Sequence, residues 1–259
     1  MAQNASVDVH GCKVNVRRAG DGPPLLFLHG VQGLRPQERV IDALAEHFEV
    51  IAPDHPGFGW SENADLVEDI QDLALFYLDV LDALKLDQVH VVGHCIGGWA
   101  ALELAVRSAG RFKSMVLLNS AGLRLKGVPR ADMFLCSEDD LLKLLFAKAG
   151  GSDWLHTWRA TADLEDVYDR NRAAGAKFSW SPRLCNPKLD RWLHRIKVPT
   201  HIVWAQEDGV IPPAYAEALN TLIPSSTLSA VPDCAHLAHI EQPQRVADEV
   251  TQFVDKVAS

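Results

Sequence analysis

The chain lacks the long apolar runs and basic clusters that mark many membrane and nucleic-acid-binding proteins. No hydrophobic stretch approaches the roughly 20 residues that a membrane-spanning helix needs. Lysine and arginine number 25 against 34 aspartate and glutamate residues, so the formal net charge is −9. Because surfaces that bind phosphate groups are rich in basic side chains, we expect neither nucleic acid nor a membrane as a partner.

Paired cysteines are also missing. The cysteines are odd in number and without C-x-x-C spacing, which disfavours a zinc site. They are Cys12, Cys95, Cys136, Cys185 and Cys234. The first residues have neither the basic nor the apolar segment of a signal peptide. We therefore expect reduced thiols, a cytoplasmic location, and no metal or cofactor.

Length and composition suit a single folded unit. A chain of 259 residues that is 47% hydrophobic and 23% charged fits one large α/β domain, or a core with one insertion. Neither property distinguishes a monomer from a homodimer.

Short apolar runs alternate with helical patterns in most of the chain. Strands are predicted at residues 14–17, 25–28, 50–52, 89–92, 115–118, 200–204 and 227–231. Helices are predicted at residues 40–48, 66–84, 96–108, 213–222 and 244–257. This alternation predicts a parallel, doubly wound sheet that binds its ligand at the carboxyl ends of the strands.

The pattern changes between residues 123 and 196, where apolar strand runs disappear and helical spacing takes over. Ser137, followed by three acidic residues, is a predicted helix N-cap. We interpret residues 123–196 as a helical cap on a core formed by residues 1–122 and 197–259. Candidates to line an apolar pocket under it are Phe134, Phe146, Trp154 and Trp158, although aromatic residues at helical spacing are more often core.

Cys95 stands at the centre of Gly93-His94-Cys95-Ile96-Gly97, between a predicted buried strand and a predicted helix. This is the pattern of a nucleophile elbow, which presents one side chain at the top of a parallel sheet. The amino end of a helix favours a thiolate. Taken alone, the segment is equally well explained as a tight turn around a buried cysteine.

An acid and a base follow in the order that such an elbow requires. Asp208 comes just after a predicted strand and can orient a histidine, with Glu207 as the neighbouring competitor. The acid can also lie after the predicted strand at residues 115–118, but that position holds Asn119, which has no carboxylate. His236 follows the last predicted strand and can act as the base. His239 is a rival base, and the two histidines could form a metal pair, although no third ligand is apparent.

Backbone N–H groups are the expected oxyanion donors. The N–H of Ile96 follows the nucleophile, and Val31 in the loop after the strand at 25–28 can supply the second. His29, Gly30 and His94 flank these positions and are further candidates for the pocket.

These motifs resemble the α/β-hydrolase superfamily over nearly the full chain. The matching segments are Leu28-His29-Gly30, Asp54-His55-Pro56-Gly57-Phe58-Gly59-Trp60-Ser61, the elbow, the Asp208 loop, and His236 with Glu241-Gln242-Pro243. The resemblance implies a mostly parallel eight-stranded sheet, helices on both faces and a helical cap after strand 6. The cap is similar to that of haloperoxidase-like esterases and meta-cleavage C–C hydrolases, and the Cys-His-Asp set is similar to that of dienelactone hydrolases.

Departures from the superfamily patterns reduce the number of reactions that the resemblance allows. Epoxide hydrolases and haloalkane dehalogenases use an aspartate nucleophile. Because Cys95 stands at that position in this chain, we expect neither of these two activities. His94, and the run from Leu237 to Ile240, replace the asparagine and the tryptophan-rich segment usual in meta-cleavage hydrolases. The resemblance thus implies hydrolysis of small-molecule esters or lactones through a Cys95 thioester. Acyl transfer, C–C bond hydrolysis and a low-turnover binding module remain alternatives, and the sequence does not tell a native Cys95 from an engineered one.

Overall fold

One sheet organises the fold. The computed structural model of the chain describes residues 3–148 and 164–258. The strands are β1 (Gln3–Val9), β2 (Cys12–Ala19), β3 (Pro24–Leu28), β4 (Glu49–Pro53), β5 (Val89–His94), β6 (Phe112–Leu118), β7 (Thr200–Ala205) and β8 (Ser226–Val231). In the described residues these eight strands lie in the order β1-β2-β4-β3-β5-β6-β7-β8.

The sheet is parallel except at one edge. Strand β2 pairs antiparallel with β1 and with β4, and the remaining neighbours are parallel. The β1–β2 hairpin turns at His10 and Gly11, whose φ angles are 52° and 81°. Two successive positive φ angles are typical of the two-residue turns that match strand twist. The mostly parallel eight-stranded sheet confirms the predicted fold class.

Helices cover both faces of the sheet. They are α1 (Glu38–Leu44), α2 (Ile70–Ala83), α3 (Ile96–Arg107), α4 (Glu138–Leu145), α5 (Glu165–Ser179), α6 (Ala214–Leu222), α7 (Ala238–Glu241) and α8 (Pro243–Ala258). Short 3₁₀ turns lie at Arg35–Gln37, Ala109–Arg111, Leu189–Arg191 and Leu193–Arg195. None of the helices in residues 3–148 and 164–258 is long and apolar enough to cross a membrane.

Two apolar layers form the core because successive side chains of a strand point to opposite faces. In β3, Leu26 and Leu28 pack with α2 and α3, whereas Leu25 and Phe27 pack with α1 and α8. All four side chains are fully buried. Burial on both faces explains why the central strands appear in the sequence as continuous apolar runs.

Helix boundaries follow local capping. Helix α2 begins at Ile70, later than the predicted residue 66, because the Asp69 carboxylate accepts hydrogen bonds from the N–H groups of Gln71 and Asp72. Ser137 caps α4 as predicted, through a hydrogen bond from the Asp140 N–H.

The chain between β6 and β7 contains α4 and α5, which lie at the carboxyl edge of the sheet. This insertion after the sixth strand agrees with the predicted fold. The division into a core of residues 1–122 and 197–259 and a cap of residues 123–196 stays a prediction.

Candidate active site

Cys95 occupies a strained turn between β5 and α3. Its φ and ψ angles are 51° and −115°, which non-glycine residues rarely adopt. The end of β6 holds this turn from the side, because the Cys95 N–H donates to Leu118 O at 3.1 Å and the Ala121 N–H donates to Cys95 O at 3.0 Å. Such strain persists only where surrounding contacts enforce it. The turn places a fully buried thiol at the carboxyl edge of the sheet.

Asp208 lies in the loop after β7, with its carboxylate surrounded by donors. Oδ1 accepts the N–H groups of Val210 at 2.9 Å and Ile211 at 2.8 Å. Oδ2 accepts the Asn119 side-chain amide at 2.6 Å. The carboxylate is fully buried. Hydrogen bonds to the charged form compensate for the water that burial removes. The role of Asn119 was not apparent from the sequence, which showed only that this position carries no acid.

His236, between β8 and α7, completes the group. Its Nδ1 lies 2.9 Å from Asp208 Oδ2, and because that carboxylate accepts, Nδ1 carries the proton. Burial acts to lower the pKa of His236, but the charges of Asp208 and Cys95 outweigh it and raise this pKa to about 10. Cys95 is close enough to His236 to raise this pKa as well, and the Nε2 atom of His236 is buried. The direction of this shift favours the protonated form of His236.

The rival residues are placed differently. Glu207 is exposed, whereas Asp208 is buried. The His239 ring packs against His94 at a centroid distance of 4.2 Å, and burial together with the charge of His236 lowers its pKa to about 3. Within the described part of the chain, no three or more histidine, cysteine or acidic side chains are grouped to hold a metal ion.

His94 lies beneath His236. Its Nε2 donates to the backbone carbonyl of His236 at 3.0 Å, and its Nδ1 is buried without a partner among the described residues. Burial, with the nearby charges of His239 and His236, lowers the pKa of His94 well below its usual range. This neutral ring supports the loop that carries His236.

A second set of buried groups holds the loop after β3. His29 Nε2 accepts the N–H of His55 at 2.9 Å, so Nδ1 carries the proton that it donates to Gly30 O at 2.8 Å. His55 Nε2 donates to His29 O at 2.8 Å, and the Tyr77 hydroxyl donates to His55 Nδ1. Burial lowers the pKa of His29 to about 4, so the ring stays neutral. The parts of His55 and Tyr77 in this network were not predicted.

The two candidate oxyanion donors are free within the described residues. Neither the Ile96 N–H nor the Val31 N–H donates to a described acceptor. Ile96 is the first residue of α3, where backbone N–H groups lack partners in the helix. Unused donors of this kind can stabilise charge that develops on a bound oxygen.

A small apolar cavity, part of it open to solvent, lies between the loop after β3, Leu237 and helices α4 and α5. It is lined by Val31, Gln32, Met133, Phe134, Leu141, Leu145, Tyr168, Arg172 and Leu237. Phe134 lines this cavity, whereas Phe146 packs in the core, and the part of both in substrate binding stays a prediction. Trp154 and Trp158 lie outside the described residues. Gln32 has a buried Oε1 without a partner in the described residues, a feature that the sequence did not indicate.

Cys234 does not pair with Cys95. All five cysteines are free, and the Cys234 thiol donates to Val231 O at 3.4 Å. Burial raises the pKa of Cys234 to about 12. A thiol with so high a pKa is a poor nucleophile, so Cys95 is the better placed of the two.

Comparisons with known proteins give a consistent picture. A model described as "Alpha/beta hydrolase family" matches residues 25–249. A 2-hydroxymuconate semialdehyde hydrolase of Pseudomonas sp. strain CF600 is 28% identical, over 94% of this chain and 91% of the relative. A bacterial membrane phospholipase A superposes with a TM-score of 0.84 at 22% identity, over 100% of this chain and 87% of the other. A meta-cleavage product hydrolase from Pseudomonas fluorescens IP01 superposes with a TM-score of 0.82 at 22% identity, over 97% of each chain.

Proposed function

Because the chain belongs to the α/β-hydrolase family, we propose that it hydrolyses esters or lactones of small carboxylic acids through a thioester on Cys95. The observation that carries this proposal is the buried pair of His236 and Asp208 at the end of the sheet, with His236 Nδ1 2.9 Å from Asp208 Oδ2. The raised pKa of His236 agrees with it. A histidine that holds a proton next to a thiol favours the thiolate, which is the nucleophilic form of cysteine.

Acylation begins when the Cys95 thiolate attacks the carbonyl carbon of the substrate. The C–S bond forms, and the carbonyl electron pair moves to oxygen, where the N–H groups of Ile96 and Val31 stabilise the negative charge. The tetrahedral intermediate collapses with cleavage of the C–O bond. The leaving oxygen takes the proton from Nε2 of His236, so an alcohol departs and a thioester remains.

Deacylation uses the neutral His236 that acylation leaves behind. Its Nε2 takes a proton from water, and the resulting hydroxide attacks the thioester carbonyl. Collapse of the second intermediate breaks the C–S bond, releases the acid and restores the thiolate beside the imidazolium. Throughout both steps the Asp208 carboxylate accepts the hydrogen bond from His236 Nδ1–H and keeps the ring in one orientation.

The cavity lined by Val31 and Leu237 suggests the substrate class. Its lining is mainly aliphatic and aromatic, with Gln32 and Arg172 as the polar members of the set. Apolar walls with a few polar groups are typical of small-molecule sites. We expect the acyl group of the substrate to face this apolar lining.

Turnover of p-nitrophenyl butyrate and a panel of lactones tests the proposal. The unmodified protein should hydrolyse members of the panel, and Cys95→Ala and His236→Ala should reduce the rate to that of buffer. Unchanged turnover in Cys95→Ala would refute the role of Cys95. A large gain in Cys95→Ser would mean that the site is built for an oxygen nucleophile.

C–C bond hydrolysis is the second candidate, favoured by the 28% identical relative that is named for 2-hydroxymuconate semialdehyde. The same nucleophile and histidine would serve this reaction, because it too cleaves a bond next to a carbonyl. Offering that semialdehyde beside the ester panel separates the two candidates. A kcat/KM for the semialdehyde well above those of the esters and lactones would favour C–C cleavage.

A further inference from the structure

Helix α5 lies directly on the loop that carries the Val31 N–H. Asn171 and Gly175 are one turn apart on the same face of this helix. A Cβ atom on Gly175 would lie 2.7 Å from Val31 Cγ1, and one on Gly33 would lie 2.2 Å from Asn171 Nδ2. A side chain at either glycine would displace the side chain of Val31 or of Asn171.

The Asn171 side chain joins two loops to the helix. Its Oδ1 accepts the Gly59 N–H at 2.9 Å, and its Nδ2 donates to Gln32 O at 2.9 Å. Gly59 follows β4 and Gln32 follows β3, so one carboxamide links two loops of the sheet edge to α5. Asn171 is 1% exposed. Since buried backbone groups without partners are costly, loss of this amide leaves a deficit that the loops must relieve by moving.

The direction of the Val31 N–H depends on the same loop. The Gly30 C=O and the Val31 N–H belong to one planar trans peptide, so they point in opposite directions. The Gly30 oxygen accepts His29 Nδ1 at 2.8 Å and the Gly33 N–H at 3.0 Å. His29 fixes the turn from the sheet side, and Asn171 fixes it from the helix side through Gln32 O. The Val31 N–H lies between these two anchors.

We propose that Asn171 is a positioning residue that sets the direction of the Val31 N–H, so that oxyanion stabilisation requires α5 to be seated on the core. This inference rests on the proposed acyl-enzyme chemistry and deepens it. The helix that borders the cavity, through Tyr168 and Arg172, thereby also aligns a donor for the reaction.

Two other anchors of α5 provide matched controls. Arg170 Nη1 donates to Gly59 O at 2.8 Å, and Lys177 Nζ donates to Val67 O at 2.9 Å. Both hold the same helix on the core, but neither bonds to the loop that carries Val31. A general effect of loosening α5 would appear in Arg170→Gln and Lys177→Met, whereas an effect through the oxyanion loop would not.

Asn171→Asp tests the proposal because it keeps the shape and the acceptor for the Gly59 N–H but replaces the donor to Gln32 O. The readouts are kcat and KM for p-nitrophenyl butyrate and the inhibition constants of butyraldehyde and butyrate. The aldehyde forms a tetrahedral adduct with the thiol, and butyrate resembles the product. Removing one oxyanion donor costs about 10²- to 10³-fold, so a misdirected donor should lower kcat by about 10- to 100-fold.

In Asn171→Asp the inhibition constant of butyraldehyde should rise by the same factor by which kcat falls. KM and the inhibition constant of butyrate should change by less than about threefold. The two control variants should keep kcat within about threefold of the unmodified protein. An equal fall of kcat in the controls, or a fall without loss of aldehyde affinity, would overturn the proposal. If Asn171→Asp does not fold, Asn171→Ser replaces it in the test, because the serine side chain is too short to donate to Gln32 O. Lack of Cys95-dependent turnover in the unmodified protein would instead refute the proposed function.

Discussion

The side-chain amide of Asn119 donates to Oδ2 of Asp208 at 2.6 Å. It joins the ends of the adjacent parallel strands β6 and β7, and it acts on the same carboxylate oxygen that lies 2.9 Å from His236 Nδ1. The orientation of the acid therefore depends on the strand next to its own. The acid of such a site can also lie after β6, and at that position this chain has Asn119, whose amide is a hydrogen-bond donor to Asp208.

Replacing Asn119 should weaken catalysis, because its amide orients the Asp208 carboxylate. Its φ of 44° lies in the left-handed region, so Asn119→Gly removes the amide without adding backbone strain. A hydrogen bond to a charged group contributes about 1.5–3 kcal/mol, which predicts a loss of about 10- to 100-fold in kcat/KM for a p-nitrophenyl ester. A folded Asn119→Gly variant with unchanged kcat/KM would show that the other donors suffice to orient Asp208.

The alkaline pH profile should follow His236. Its pKa is raised to about 10, chiefly by Asp208 against the opposing effect of burial. The imidazolium must donate a proton to the leaving group, so kcat/KM should persist at mildly alkaline pH and fall as pH rises through about 10. Asp208→Asn removes the main raising charge, so the fall should move to lower pH. A fall centred near pH 7 in the unmodified protein would contradict this assignment.

Acid stability should depend on His239. Its pKa is lowered to about 3 in the folded protein, below the ordinary histidine value of 6.5. The unfolded chain binds the proton first, so the stability contributed by this group is present above pH 6.5 and is lost progressively as pH falls towards 3. Between pH 6.5 and 4.5 the loss is about 2 kcal/mol.

His239→Phe should remove this part of the pH dependence, because a phenyl ring can pack against His94 without taking up a proton. Urea unfolding at pH 7.5 and pH 4.5 measures it for both proteins. The free energy of unfolding should fall by about 2 kcal/mol less in His239→Phe than in the unmodified protein. Equal losses in the two proteins would exclude His239 as the source.

The unpaired oxygen of Gln32 should influence substrate choice. Its Oε1 is buried without a partner among the described residues, and Gln32 lines the apolar cavity. Gln32→Met keeps the length of the side chain and removes that oxygen, so the free energy of unfolding should rise by about 1 kcal/mol. The KM for p-nitrophenyl octanoate should fall, with kcat little changed. Lower stability and a higher KM would show that the amide has a necessary partner in the folded protein.

The sequence predicted features that depend on neighbouring residues. Apolar runs marked the central strands, and the residues around Cys95 marked a turn between strand and helix. Strand β1 was not assigned, because its side chains are mostly polar and exposed at the sheet edge. Its hairpin depends on His10 and Gly11, a turn that the apolar pattern does not indicate.

Contacts between residues that are far apart in the chain could not be predicted from the sequence. Asn119 is 89 residues from Asp208, and Asn171 is 139 residues from Gln32. No local pattern distinguishes these two buried asparagines from asparagines on the surface. Phe134 and Phe146 illustrate the same limit, since both have helical spacing but only the first lines the cavity. Which aromatic side chain faces a ligand depends on how the helices pack.

The most direct test of the thioester on Cys95 is peptide mapping after acid quench during turnover of p-nitrophenyl butyrate. Acid halts deacylation, so the acyl group should appear on the peptide that contains Cys95. The peptides of Cys12, Cys136, Cys185 and Cys234 should remain unmodified, and Cys95→Ala should show neither adduct nor turnover. Turnover with the acyl group on another residue, or with none on Cys95 while Cys95→Ala stays active, would contradict the assignment of Cys95 as the nucleophile.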